Sequence, residues 1–594
     1  MISKWMALLL LAGLASAPSS GLAQIARRTV GEASSGAEVR FRRLADEYFD
    51  EVFFKYSPTQ GTLDGLHRYD TQLEDYSRAG VNREIVALEA QEKRFAALRP
   101  SGLDLETRAD RELVLGSIRS TLLTLETIRP WEKNPDSYSS GITESAFSLM
   151  ERSFASPDDR LRSLIAREQR MPAVFQAARQ NLKNPPRIFT EIALEQLPGI
   201  VSFFRSDVPN AFVKAQNPAL KAQFAQSNAA VITALESYQE WLKGDLLPRS
   251  HGDFRLGAST YAKKLSYDEM VDTPLPRLLA IAYADLRKNQ AEFYRVAREV
   301  DPHKQPRQVL AELVHDHPAP DQLLGSFRDT FAGLVQFIQE KRIVDIPSPV
   351  LPIVEETPPF MRATTVASMD TPGPYEKIAK EAYFNVTLPG PKDTPEEIAG
   401  RMEEFNRGTI ISTSIHEAYP GHYVQFLWLQ QAPSRVRKLL GASSNAEGWA
   451  HYCEQMMIEE GYGQPGTGAR DARDAGMIHL GQLQDALLRD ARFVVGIEMH
   501  TGRMSFHQAV NFFVKEGFQS HEGAVIESKR GTSDPTYLYY TLGKLQILKL
   551  RADLRKKEGA NFSLERFHDD FLKQGFPPIR IVRQALLGNN SPSL

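Results

Sequence analysis

Cysteine is nearly absent from this chain. Cys453 is the only one in 594 residues, so no intramolecular disulfide can form and stability rests on the size of the core. An excess of charge is missing as well. The 71 Lys and Arg residues against 74 Asp and Glu leave a formal net charge of −3, with no basic surplus to track a phosphate backbone. Nucleic acid is thereby excluded as a main partner. No apolar run reaches the roughly 20 residues needed to span a bilayer. No self-similarity recurs at a period of about 20–50 residues, which disfavours a solenoid. Segments that alternate apolar and polar residues are few, so strands are expected to be short and rare.

What is present begins with an export signal. Lys4 precedes an apolar run from Trp5 to Leu14, and Gly21-Leu22-Ala23 before Gln24 offers a cleavage site, so residues 1–23 read as a signal peptide. No cysteine stands at that site, and a lipid anchor is not expected. The mature protein is expected to be secreted or periplasmic without a stable membrane anchor. Hydrophobic residues at 42% and charged residues at 24% are ordinary globular composition.

Long amphipathic patterns follow at 37–56, 82–98, 107–127, 172–182, 188–204, 217–241 and 273–300, with Pro or Gly in several gaps. His67 and Asp70 fall in a loop and suggest local polar contacts. The stretch 343–391 is proline-dense and poor in helical pattern. Candidate strands are confined to 255–256, 350–355 and 381–387. The last of these, with Tyr383, is a candidate edge strand beside the helix described next, where an extended peptide would align by strand addition. The expected class is mainly α, a large multi-helix protein with a small β element, divided into an N-terminal helical region 24–360 and a catalytic helical region 361–594 that together form one integrated unit.

The chemistry concentrates at Ser414-Ile415-His416-Glu417-Ala418-Tyr419-Pro420-Gly421-His422. Two imidazoles and a carboxylate are the ligand and base content of a zinc hydrolase. The six-residue spacing is unlike H-E-x-x-H, however. At roughly 100° per residue, His422 on a regular helix would lie about 120° away from His416. Pro420 lies four residues after His416 and cannot continue a helix there, and Gly421 tolerates unusual backbone angles. A helix broken at Pro420-Gly421 would let both rings meet one metal.

A third ligand is then needed. Glu447, His451 and Glu454 fall on one face of a helix otherwise made of Trp449, Ala450, Tyr452, Met456 and Met457, a buried composition. Either Glu447 or Glu454 would complete the set, and the other would hold a ligand imidazole. Further candidates are Arg489 and Arg492 for a substrate carboxylate, and His500 and Tyr540 as oxyanion donors. Cys453 reads as a small buried hydrophobe.

With these residues assembled, the chain resembles the bacterial family known as domain of unknown function 885. The shared features are His-Glu-x-x-Pro-Gly-His at 416–422, Glu-Gly-Trp-Ala-x-Tyr-x-Glu at 447–454, Tyr-x-x-Gly at 540–543 and an N-terminal Gly-x-x-x-Tyr-Asp region within 58–76. Two positions depart from it: Tyr423 stands where members often carry another His, and Thr541 replaces a common Lys. The family is similar to helical zinc metallopeptidases. That resemblance implies one Zn2+ per chain, or another divalent metal, on His416, His422 and Glu447, with Glu417 as general base and short peptides as substrate. A hydrolase of another amide or ester, or a catalytically silent binding protein, stands as the alternative.

Overall fold

The computed structural model describes residues 36–358, 362, 365–390 and 393–594. The expected signal peptide at 1–23 lies outside the described residues, as do Pro359 and Pro391 of the proline-dense stretch. The fold is mainly α with a small three-stranded sheet. None of the described helices is long and apolar enough to cross a membrane.

The helices that position the site are α1 (Leu105–Leu122), α2 (Ala258–Glu269), α3 (Leu275–Val300), α4 (Arg407–Glu417), α5 (His422–Leu429), α6 (Ser443–Glu459), α7 (Ala472–His500), α8 (His521–Ser533) and α9 (Tyr539–Glu558). The sheet comprises β1 (Ile353–Glu356), β2 (Ala367–Asp370) and β3 (Tyr383–Val386).

Two glycine contacts set how closely the central helices cross. A Cβ on Gly543 of α9 would lie 1.9 Å from the Ser444 carbonyl oxygen of α6, and one on Gly481 of α7 would lie 2.4 Å from the Gly408 carbonyl carbon of α4. Only hydrogen fits at either crossing. Backbones therefore approach directly, and α4, α6, α7 and α9 converge in one buried bundle. Around it lies a core that includes Phe331, Phe384, Ile415, Tyr419, Trp449 and Met456. A separate helical core draws on residues from Tyr138 to Leu246. A third joins Phe41 to Leu122 with Val436, Leu440 and Ile581. Cys453 is fully buried in the first of these, as its apolar surroundings demand.

The sheet corrects one expectation. β3 pairs on both sides, parallel with β1 and antiparallel with β2, so Tyr383 lies in the central strand rather than at an edge. Its hydroxyl donates to the Glu151 carbonyl at 3.3 Å. The edge strand packed against α4 is β2, whose Ala-Ser-Met-Asp sequence carries little strand signal and is held by pairing with β3. Residues 255–256 form no strand, and the expected 350–355 strand begins later, at Ile353.

Candidate metal centre

Helix α4 starts where the Asn406 side chain accepts from the backbone N–H groups of Gly408 and Thr409, a cap worth about 1 kcal/mol. It stops at Glu417. Across the break the Tyr419–Pro420 peptide is cis, and the Gly421 N–H donates to the Ile415 carbonyl at 3.0 Å. A Cβ at Gly421 would sit 1.8 Å from the His416 carbonyl oxygen, so no other residue permits this turn. The Trp449 indole N–H donates to the Pro420 carbonyl at 2.9 Å, tying the break to α6. A new helix, α5, begins at His422. The two imidazole rings thereby come to 4.9 Å between centroids, perpendicular to one another.

Glu447 on α6 faces both rings. Its Oε2 lies 3.4 Å from His416 Nε2 and 3.4 Å from His422 Nε2. That oxygen is buried and accepts no hydrogen bond among the described residues. Ligand atoms of the three side chains all fall within 4.8 Å of one another, and this is the group of metal-ligating character among the described residues. The 3.4 Å spacings can be compared with metal geometry. Tetrahedral ligands about 2.0–2.1 Å from a zinc ion are roughly 3.3–3.4 Å apart. The two spacings from Glu447 to the imidazoles therefore match a zinc-sized cation. Burial opposes charge on Glu447, yet the imidazoles of His416 and His422 hold its carboxyl well below the usual range.

The other nitrogen of His416 is also fixed. Nδ1 donates to Glu454 Oε1 at 2.6 Å, which leaves Nε2 aimed at Glu447. Burial lowers the His416 pKa, but Glu447 and Glu454 outweigh it and push it up to about 9. Glu454 is fully buried, receives a second bond from His451 Nδ1 at 3.1 Å and pairs with Arg489 Nη2 at 3.2 Å. So the two acids left open by sequence part company by geometry: Glu447 joins the imidazoles' free edge and Glu454 orients His416. His422 has no such orienting partner, and its Nδ1 is unpaired among the described residues. Burial and the Lys544 charge lower the His451 pKa to about 3, which keeps that ring neutral.

Glu417, at the last position of α4, is 8% exposed and makes no side-chain hydrogen bond among the described residues. The Tyr540 ring lies 6.2 Å from that of His416 at 28°, and its hydroxyl accepts from Arg530 Nη2 at 3.0 Å. Burial raises the Tyr540 pKa, so its proton stays on at neutral pH. Guanidinium groups of Arg489, Arg492 and Arg530 lie 5.7, 4.9 and 5.7 Å from the same ring. Arg492 is held by Glu527 through two bonds of 2.6 and 2.7 Å. A cleft of about 530 Å³ bounded by α1, α2 and the turn before α9 is lined by Ser443, Asp534 and Tyr539 among others.

Two sequence candidates lie elsewhere. His500 donates from Nε2 to the Gly531 carbonyl at 2.7 Å and packs on Phe254 and Tyr261, and burial lowers its pKa to about 4. It is a core residue. Tyr383 belongs to the central strand already described. Arg530, by contrast, was not singled out by sequence. The only hint of it is the Asp534-Pro535 turn and tyrosine pair that follow, which fold back over α8.

Several known proteins are similar to this chain. The family described as bacterial protein of unknown function (DUF885) matches residues 58–586. A candidate lipoprotein of unknown function from Shewanella oneidensis has a solved structure 27% identical in sequence, with a TM-score of 0.74, covering 92% of this chain and 99% of that one. A candidate lipoprotein from Colwellia psychrerythraea, 17% identical, shares the fold with a TM-score of 0.76 over 93% of this chain and 99% of that one. No curated protein matches.

Proposed function

We propose that this chain, which belongs to the bacterial family of unknown function DUF885, is a metal-dependent hydrolase and, more specifically, an exported zinc peptidase acting on short peptides. The observation that carries the reading is the buried, unpaired Glu447 Oε2 set 3.4 Å from two imidazole nitrogens. A carboxylate oxygen buried without a donor costs several kcal/mol unless a cation meets it. Zinc in such a site supplies Lewis acidity and acidifies water.

The chain's own groups take the remaining roles. Glu417 follows a ligand directly and has no competing hydrogen bond, so it is the general base that takes a proton from the attacking water and returns it to the leaving amine. Glu454 accepts from His416 Nδ1–H and so fixes the ring with Nε2 as the nitrogen that would meet the metal. Tyr540 keeps its phenolic proton and lies against His416, which suits it to donate to a developing oxyanion. Export is supported by the description of two structural neighbours as candidate lipoproteins, and by the signal-like N-terminus.

The test pairs metal analysis with peptide cleavage. Purified protein should carry about one zinc per chain and cut short peptides. Glu417→Gln should keep the metal and lose about 10²–10⁴-fold in kcat. A zinc-loaded protein that leaves every peptide intact would remove the peptidase reading, and undiminished cleavage by Glu417→Gln would remove the assigned base.

A further inference from the structure

The three guanidinium groups around Tyr540 are not equivalent. Arg489 commits Nη2 to Glu454 at 3.2 Å and Nη1 to the Asp485 carbonyl at 3.0 Å. Arg492 is gripped edge-on by Glu527. Their side chains are only 11% and 8% exposed. Pulling either arginine away would strand a buried carboxylate, so both are structural cations.

Arg530 is placed differently. Its hydrogen bonds all run through Nη2, to the Tyr540 hydroxyl at 3.0 Å, Asp534 Oδ2 at 3.3 Å and the Tyr539 hydroxyl at 3.5 Å. Nε and Nη1 make no hydrogen bond among the described residues. Asp534, its charged hydrogen-bond partner among the described residues, sits at the long end of hydrogen-bond range and already accepts from Tyr539 at 2.8 Å. The Arg530 side chain is 27% exposed, and both Asp534 and Tyr539 line the cleft. An uncommitted guanidinium edge therefore stands between Tyr540, whose ring lies beside that of His416, and the two cleft-lining residues Asp534 and Tyr539.

We propose that Arg530 binds a free carboxylate of the substrate, so that this enzyme cuts beside a chain end bearing an α-carboxylate. The inference rests on the hydrolase reading of the His416, His422 and Glu447 centre and deepens it. The chemistry is that of the guanidinium fork, which presents two parallel N–H donors to a planar carboxylate. Arg489 and Arg492, the sequence candidates for this task, are each tied to a buried carboxylate, Glu454 and Glu527, and the Arg489 donor left over, Nε, is itself buried. Because Arg530 also holds the Tyr540 hydroxyl, the same residue that registers the terminus positions the phenol beside the metal ligands.

The experiment compares the tetrapeptide Ala-Ala-Phe-Ala with its C-terminal amide. Zinc-loaded wild type should cut the acid about 10–100-fold better in kcat/KM, the range of a charge-assisted hydrogen-bonded pair. Arg530→Met should erase that preference and Arg530→Lys should restore part of it. Equal kcat/KM for acid and amide in the wild type overturns the inference while leaving the hydrolase reading intact. Calorimetric binding of both peptides to zinc-loaded Glu417→Gln protein separates the two readings. Tighter binding of the acid that depends on Arg530, with neither peptide cut by the wild type, sustains the carboxylate site and sinks the peptidase. Equal binding of acid and amide sinks the carboxylate site. If Arg530→Met fails to fold, the acid–amide comparison on the intact protein decides alone.

Discussion

Two of the histidine–carboxylate clusters among the described residues end in opposite states. In the first, His67 gives both ring nitrogens to carboxylates, Nδ1 to Asp70 at 3.2 Å and Nε2 to Glu376 at 2.9 Å, while its face stacks on Phe154 at 3.9 Å. Glu376 Oε1 in turn accepts from the backbone N–H groups of Ile378 and Ala379. No polar atom of His67, Asp70 or Glu376 is among the buried unpaired ones. In the second, His416 gives only Nδ1 away, and Glu447 Oε2 is left facing two Nε2 atoms. Residue content is the same in kind. The first cluster is a clamp, because its donors and acceptors cancel within the protein. The second is a socket, because two Nε2 atoms and a carboxylate oxygen converge on one another while the other His416 nitrogen is held from behind.

The sharpest way to break this comparison is to remove one imidazole from each cluster. His416→Ala should take zinc from about one per chain to near none, since a site with two protein ligands loses the tetrahedral set. His67→Ala should leave zinc content unchanged. Metal analysis after dialysis reads both, and full occupancy in His416→Ala would refute the ligand assignment.

A smaller effect probes the groups behind the ligands. Glu454→Gln removes the charge that orients His416 and should weaken zinc about 10–100-fold. Glu376→Gln, the matching change in the clamp, should leave zinc affinity as it was. Competition against a chelator measures both. Equal affinities for the Glu454→Gln and wild-type proteins would show that His416 is held by packing alone.

The contrast also explains what could be read from sequence. His416, Glu417 and His422 were visible because they are neighbours, and the break between them was visible because Pro420 and Gly421 violate helix rules. The helical class followed from long 3.6-residue patterns. The choice between Glu447 and Glu454 was not visible. Both lie on one face of α6, and the decision rests on which nitrogen of His416 each meets. Arg530 lies in a helix whose turn back onto α9 no periodicity reports. His500 reads from sequence as a candidate oxyanion donor because Phe254 and Tyr261, which cover it, come from a distant stretch of chain. Glu376 stands 309 residues from His67, so the clamp appeared as a local pair only.

The smallest expected effect belongs to that clamp and concerns pH. Burial lowers the His67 pKa, but Asp70 and Glu376 outweigh it and hold the imidazole above its usual 6.5. Burial likewise raises Glu376, and its backbone donors and His67 bring it below 4.5. The signs follow by linkage. A raised histidine contributes stability that is complete below about 6.5 and disappears as pH climbs through its folded value. A depressed carboxyl contributes stability present above about 4.5 and lost as pH falls through its folded value. The clamp is therefore strongest between about pH 4.5 and 6.5. The His67 side chain is 31% exposed, so solvent screening limits the gain to a few tenths of a kcal/mol up to about 1 kcal/mol. Denaturant midpoints of wild type and His67→Gln should differ more at about pH 5.5 than at about pH 9. Zinc affinity in the same pair of proteins should not differ at either pH, because the clamp shares no atom with the socket. A stability gap that is flat with pH would mean that His67 acts through its stacking on Phe154 and not through its charge.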